Sequence, residues 1–180
     1  MQKRLVIDNQ LLSITIERLC HQLIENHDDF KDSVILGMQP RGVFLAERIS
    51  NKLKEILKKD IRLGYLDTTF FRDDFRHKEH PLIASETKVP FLIEDQKVIL
   101  VDDVLFTGRT VRAALDAMNA FGRPRSVELL VLVDRRYSRD LPIQPKYVGT
   151  QVHCTDSEKV LVELKEQGLK QDNIWLVTKT

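Results

Sequence analysis

Cysteine is scarce in this 180-residue chain: only Cys20 and Cys154 occur, with no metal-like spacing to each other or to a histidine. That excludes a disulfide framework and a thiolate zinc site, and reduced thiols of a cytoplasmic protein are expected. A long apolar run is lacking too, and Met1-Gln2-Lys3-Arg4 leads into no hydrophobic leader, so no membrane anchor is expected. Charge of one sign is missing: 28 basic residues face 27 acidic ones, and no global field argues for nucleic acid or membrane. Repeats and low-complexity segments are lacking. What remains, with 42% hydrophobic and 31% charged residues, is the composition of one soluble, well-cored domain spanning 1–180.

The densest chemistry lies between Val98 and Thr110. Val98 to Val101 is short, mostly β-branched and uninterrupted, as in a parallel strand buried on both faces. Asp102 and Asp103 follow, where open α/β sheets bind ligands at the carboxyl ends of their strands. Val104, Leu105 and Phe106 bridge to Thr107-Gly108-Arg109-Thr110, which opens a helix. Backbone N–H groups, two hydroxyls and the positive helix end meet there, a cradle suited to a phosphate dianion. An anion beside two carboxylates suggests a phosphorylated sugar. Because neighbouring strand residues face opposite ways, both aspartates can serve that sugar only if the strand has ended at Asp102.

Around this stretch strands and helices alternate. Leu12, Ile16, Leu19 and Leu23 mark an amphipathic helix, and Ser33 to Met38 reads as a buried strand. Gln39-Pro40-Arg41-Gly42 breaks that strand before a second helix carrying Ala46, Ile49, Leu53 and Ile56. Ile61 to Asp67 and Val127 to Val133 are further strands. Thr110 to about Ala120 forms a helix ended by Gly122 and Pro124. Shorter strands are expected at Tyr147-Val148, Lys159–Leu164 and Ile174–Val177. The period fails from Arg72 to Glu94, a stretch long enough to be a functional loop. The expected fold class is α/β with a mainly parallel central sheet flanked by helices.

The hydrophobic strand, acidic pair and Thr-Gly-x-Thr loop together resemble the hallmark of the type I phosphoribosyltransferases. The resemblance implies that Asp102 and Asp103 contact ribose hydroxyls and Val104 to Thr110 form the phosphoribosyl pyrophosphate (PRPP) loop, with Thr107 to Thr110 on the 5′-phosphate. It also implies that Gln39, Pro40, Arg41 and Gly42 are the pyrophosphate loop, with Arg41 offering a guanidinium fork. Pro40 stands where the family more often has Thr and removes one N–H donor. Arg72, Asp73 and Asp74 match the start of the family's closing flap, expected at about 70–94, whereas His77, Lys78, Glu79 and His80 read as a solvated loop.

A finer resemblance, to the PyrR family of pyrimidine operon regulators, runs through the segments around Thr107–Ala117, Gly122–Arg135, Asp140–Ile143 and Ser157–Val160. It implies uracil phosphoribosyltransferase activity: uracil and PRPP giving UMP and pyrophosphate. It also implies Mg²⁺ bound mainly through the substrate, with Asp102 and Asp103 as candidate protein ligands. Catalysis is then expected from Asp102, Asp103 and Arg41. A small hood from the N-terminal segment and about 134–158 is implied, with Val133, Asp134, Arg135 and Arg136 near the base and Tyr137 beside them.

Purine members of the superfamily carry an acidic residue where Phe106 stands, so a pyrimidine is expected. The family also implies attenuation of pyrimidine-operon leader mRNA under control of UMP and UTP, and a homodimer or higher homo-oligomer. Arg18, His21 and Arg139 match its RNA-contacting positions, while Glu17, Gln144 and Thr150 replace residues that the family fills with threonine or basic side chains. Two other readings stay open: an RNA-binding regulator with little catalysis, and a phosphoribosyltransferase for a purine. His21 and His153 have no metal-like partners in sequence.

Overall fold

The computed structural model describes residues 2–72, 86–155 and 157–178. Eight strands and three helices occur among them: β1 (Gln2–Ile7), α1 (Asn9–His27), β2 (Ser33–Met38), α2 (Gly42–Leu57), β3 (Leu63–Leu66), β4 (Lys97–Leu105), α3 (Arg109–Met118), β5 (Ser126–Arg136), β6 (Tyr147–His153), β7 (Glu158–Glu163) and β8 (Asn173–Thr178). A five-stranded sheet in the order β3-β2-β4-β5-β6 is parallel throughout. β4 is its centre, and all six residues of β2 and the whole of Val98–Val101 are buried, which fits their unbroken apolar character.

Helices cover both faces. Leu12, Ile16, Leu19 and Leu23 of α1 pack with Leu45, Ile49 and Leu53 of α2 against Ile35, Ile99 and Val101. On the opposite face Val111, Ala114 and Met118 of α3 pack on Val34, Val98 and Leu100. Asp8 caps α1, its side chain accepting the Leu11 N–H at 2.8 Å. From β2 the chain crosses outward to β3, whereas from β4 it proceeds the other way to β5 and β6. The direction reverses between β2 and β4, and the crevice beyond their carboxyl ends is the ligand position of such sheets.

A second, antiparallel sheet joins β1, β8 and β7 in that order and packs Val160, Val162, Ile174 and Leu176 into the α1–α2 core. The hood was expected from the N-terminal segment and about 134–158. Tyr147–His153 instead lies in the main sheet as its parallel edge strand, and the N-terminal strand pairs with the C-terminal one. Pairing across 170 or so residues of separation leaves no local spacing to read. The strand expected to stop near Val101 also runs on to Leu105, because its ladder with β5 continues through Leu105 opposite Asp134.

Candidate active site

Two loops lie at the reversal point. The first, after β2, holds Gln39 by its N–H to the Leu66 carbonyl at 3.0 Å and by its amide to the Glu86 carbonyl at 2.7 Å. The Gln39–Pro40 peptide is cis. Arg41 occupies the N-cap position of α2, and Gly42 begins the helix flush against β4. A Cβ on Gly42 would lie 2.4 Å from the Val101 carbonyl oxygen, 3.0 Å from the Asp102 Cα and 3.2 Å from the Asp102 Oδ1. Only a residue without a side chain lets this loop touch the strand that carries the acidic pair.

Because β4 continues past Asp102, the two carboxylates have separate surroundings. Asp103 is buried and accepts the Arg41 Nε at 2.6 Å, while another Arg41 nitrogen donates to the Val162 carbonyl of β7. Arg41 thus ties β4 to the second sheet. Asp102 instead lines a cavity of about 300 Å³ with Val104–Val111, Arg72 and Asp140. Its Oδ1 accepts the Asp103 N–H at 2.9 Å. Desolvation, and then the neighbouring Asp103 carboxylate, push the Asp102 carboxyl well above the usual carboxylate range.

The second loop is the cradle itself. Gly108 has φ +91°, a left-handed conformation that glycine adopts freely, and its α-carbon faces Ile143. Thr107 Oγ1 accepts the Arg109 N–H at 3.4 Å, and Thr110 Oγ1 accepts from Arg72 Nη1 at 3.4 Å. Arg72 therefore stands over the cradle. Asp73 and Asp74, and with them His77 to His80, lie outside the described residues. A segment after β5 straps the loop from behind. The Asp140 and Leu141 N–H groups donate to the Thr107 carbonyl at 3.0 and 3.3 Å, and Asp140 pairs with Arg109 at 2.9 Å.

The expected base residues lie at the end of β5. Val133 is wholly buried between β4 and β6, and Arg136 is exposed. Asp134 is buried in an ion pair with Arg139. Arg135, also buried, lays its guanidinium 3.9 Å over the Phe106 ring and donates to the Glu158 carbonyl at 3.3 Å. Phe106 itself is 45% exposed, so its ring borders the cavity rather than the core.

The three residues expected to contact RNA do not share one setting. Arg18 and His21 lie on the exposed side of α1, where Arg18 donates to the Val148 and Gly149 carbonyls of β6 at 3.1 and 2.6 Å. Arg139 is turned inward, to carbonyls of the cradle and of its own strap. Its cradle partners, the Leu105 and Phe106 carbonyls, stand 34 and 33 residues away in sequence, so nothing local signals them. Among the described residues no group of three or more His, Cys, Asp or Glu side chains is arranged to hold a metal, and no helix is long and apolar enough to cross a membrane.

Comparisons with known proteins agree with this geometry. The family model described as "Phosphoribosyl transferase domain" matches residues 6–167. The fold resembles the hypoxanthine-guanine phosphoribosyltransferase of Bacillus anthracis, with TM-score 0.70 and 16% identity over 99% of this chain and 100% of that one. It also resembles the hypoxanthine phosphoribosyltransferase of Trypanosoma cruzi, with TM-score 0.71 and 13% identity over 98% and 97%. Sequence likeness is much greater elsewhere. The chain is 46% identical over 167 residues to the "Bifunctional protein PyrR" of Desulfosudis oleivorans and 42% identical over 168 residues to that of Bacillus velezensis, covering 92% of each chain in both cases. The chain belongs to the PyrR family of the phosphoribosyltransferases.

Proposed function

We propose that the protein transfers the phosphoribosyl group of PRPP to uracil, giving UMP and pyrophosphate. The observation that carries this is that Asp102 stands between the two loops. The Arg41–Gly42 loop packs on β4 at Val101 and Asp102, and Asp102 in turn lines the cavity of about 300 Å³ that the cradle Thr107–Thr110 encloses. An anion site on either side of a carboxylate fits a sugar with a phosphate at C5′ and a pyrophosphate at C1′. N1 of uracil displaces pyrophosphate at C1′, and rate comes from holding both reactants in line and countering charge on the leaving group.

Asp102 faces the sugar hydroxyls and gains in ionisation as positive charge grows at C1′. Asp103 positions Arg41, whose exposed edge reaches toward the pyrophosphate; Arg72 completes the enclosure from the other side. Carboxylate oxygens suit Mg²⁺, and Asp102 is the group that would help hold it, with most of its coordination coming from substrate oxygens and water. When bound, the ion supplies charge neutralisation of the pyrophosphate.

Phe106, braced by Arg135, puts an apolar ring where purine enzymes place a carboxylate. Main-chain groups of Val133–Arg135 then read the donor and acceptor edge of a pyrimidine. The test is product identification: PRPP, Mg²⁺ and uracil should yield UMP and pyrophosphate in equal amounts, and Asp102→Asn should slow this sharply in a folded protein. No UMP from the unaltered chain sinks the proposal.

A second role rests on Arg18 and His21, exposed together on α1. We infer that they contribute to binding a pyrimidine-operon leader RNA, in keeping with the word "bifunctional" in the relatives' names. UMP or UTP in the same cavity would then control that binding.

A further inference from the structure

A phosphate cradle works only if its N–H groups face the ligand, and what fixes them lies on the other side of each peptide. In a trans peptide the carbonyl of one residue and the N–H of the next point in opposite directions. Holding the carbonyls of Phe106 and Thr107 from behind therefore aims the N–H groups of Thr107 and Gly108 into the cavity. Both carbonyls are held, and by one short segment. Arg139 Nη1 donates to the Phe106 carbonyl and, at 3.5 Å, to the Leu105 carbonyl, while the N–H groups of Asp140 and Leu141 take the Thr107 carbonyl.

Arg139 is itself fixed on three more sides. Its Nη2 pairs with the buried Asp134 carboxylate, its Nε donates to the Ile143 carbonyl at 3.1 Å, and its Nη1 also meets the Arg135 carbonyl at 3.2 Å. A planar guanidinium with a fixed fork of donors can serve carbonyls at several angles at once, which an ammonium cannot. The side chain is only 22% exposed, and all three of its nitrogens donate to protein acceptors.

We propose that Arg139 is a positioning residue for the phosphate cradle. Through the Asp134 pair it sets the direction of the Thr107 N–H group, next to the Gly108 N–H that its neighbours Asp140 and Leu141 fix, and couples the cradle to the base end of β5. This rests on the proposed phosphoribosyl site, and it gives Arg139 a place behind the cradle rather than on an RNA-contacting face.

The test compares the unaltered protein with R139A and R139K in three measurements: steady-state constants with PRPP and uracil, the Kd of ribose 5-phosphate by calorimetry, and thermal melting. A cradle that has lost its orientation binds phosphate less well in ground and transition states alike. R139A should therefore raise the KM for PRPP and the Kd of ribose 5-phosphate about tenfold, with kcat changed by about threefold or less. R139K, which keeps the charge beside Asp134 but not the fork, should fall between. Unchanged KM and Kd in variants that melt cooperatively would overturn the proposal, as would a loss of kcat alone. If R139A does not fold, the R139K constants decide on the same terms. If the unaltered protein forms no UMP, the proposed function fails, while ribose 5-phosphate binding still decides the role of Arg139.

Discussion

Replacing Gly42 with alanine adds one methyl group at the point where the Arg41–Gly42 loop touches the strand that carries Asp102. That carbon would sit 2.4 Å from the Val101 carbonyl oxygen and 3.0 Å from the Asp102 Cα, where ordinary contacts begin at 3.4 Å. Both obstacles are backbone of the central strand, so no side chain can swing away. The Arg41–Gly42 loop must retreat by about 1 Å, the difference between 3.4 and 2.4. Overpacking of this kind costs about 1–3 kcal/mol. In a 180-residue chain that lowers Tm by about 2–12 °C.

The effect on chemistry should be larger than the effect on stability. A displacement of about 1 Å between a positioning group and its substrate can cost roughly a hundredfold in rate. We therefore expect G42A to fold and to lose about a hundredfold in kcat/KM for PRPP. Gly168→Ala serves as the comparison, since nothing lies within 4 Å of the added carbon and φ +82° leaves only local backbone strain. Steady-state UMP formation and scanning calorimetry on both variants give the answer. A G42A protein with unaltered rate and melting temperature would refute the claim that this contact holds the two loops in register.

Burial and then Asp103 push the Asp102 pKa well above the usual carboxylate range, and a nearby cation or developing positive charge should lower it again. Calorimetry of Mg²⁺–PRPP binding in buffers of different ionisation enthalpy should show proton release that vanishes in Asp102→Asn. His27 is the second case. It is buried between Ser33 at 2.8 Å and Glu128 at 2.9 Å, with the Tyr147 hydroxyl at 3.2 Å and the charges of Lys97 and Lys146 facing it. Desolvation lowers its pKa below the ordinary 6.5, so the unfolded chain takes up the proton first. Its contribution to stability is full above pH 6.5 and drains away as pH falls toward the folded-state value. Tm should drop between pH 7 and 5.5, and His27→Gln should flatten that slope while lowering Tm throughout; a slope that survives in the variant points to another group. For the RNA role, Arg18→Ala should weaken leader-RNA binding, and binding should fall steeply with salt. Binding that ignores both salt and Arg18 removes α1 from the interface.

Local pattern accounts for what is legible in the sequence. The buried strands Ser33–Met38 and Val98–Val101, the apolar faces of α1 and α2, and the two anion loops are all written within a dozen residues each. Their meeting was legible only through the rule that ligands sit at the carboxyl ends of parallel strands. The separate surroundings of Asp102 and Asp103 were not, because whether β4 ends at Asp102 depends on its ladder with β5. The β1–β8–β7 sheet was hidden for the same reason: its partners come from opposite ends of the chain. Arg139 is the sharpest case. Its charge suggests a surface phosphate contact, and only the fold brings Asp134 and the Phe106 carbonyl around it.

The claim that the cavity between these loops makes a pyrimidine nucleotide is tested most directly by competition. With Mg²⁺ and limiting PRPP, uracil, guanine and hypoxanthine are offered together and the nucleotide products are separated and counted. An apolar Phe106 under the Arg135 guanidinium predicts UMP as the dominant product, with purine nucleotides at trace level. A purine nucleotide in excess over UMP would contradict that account.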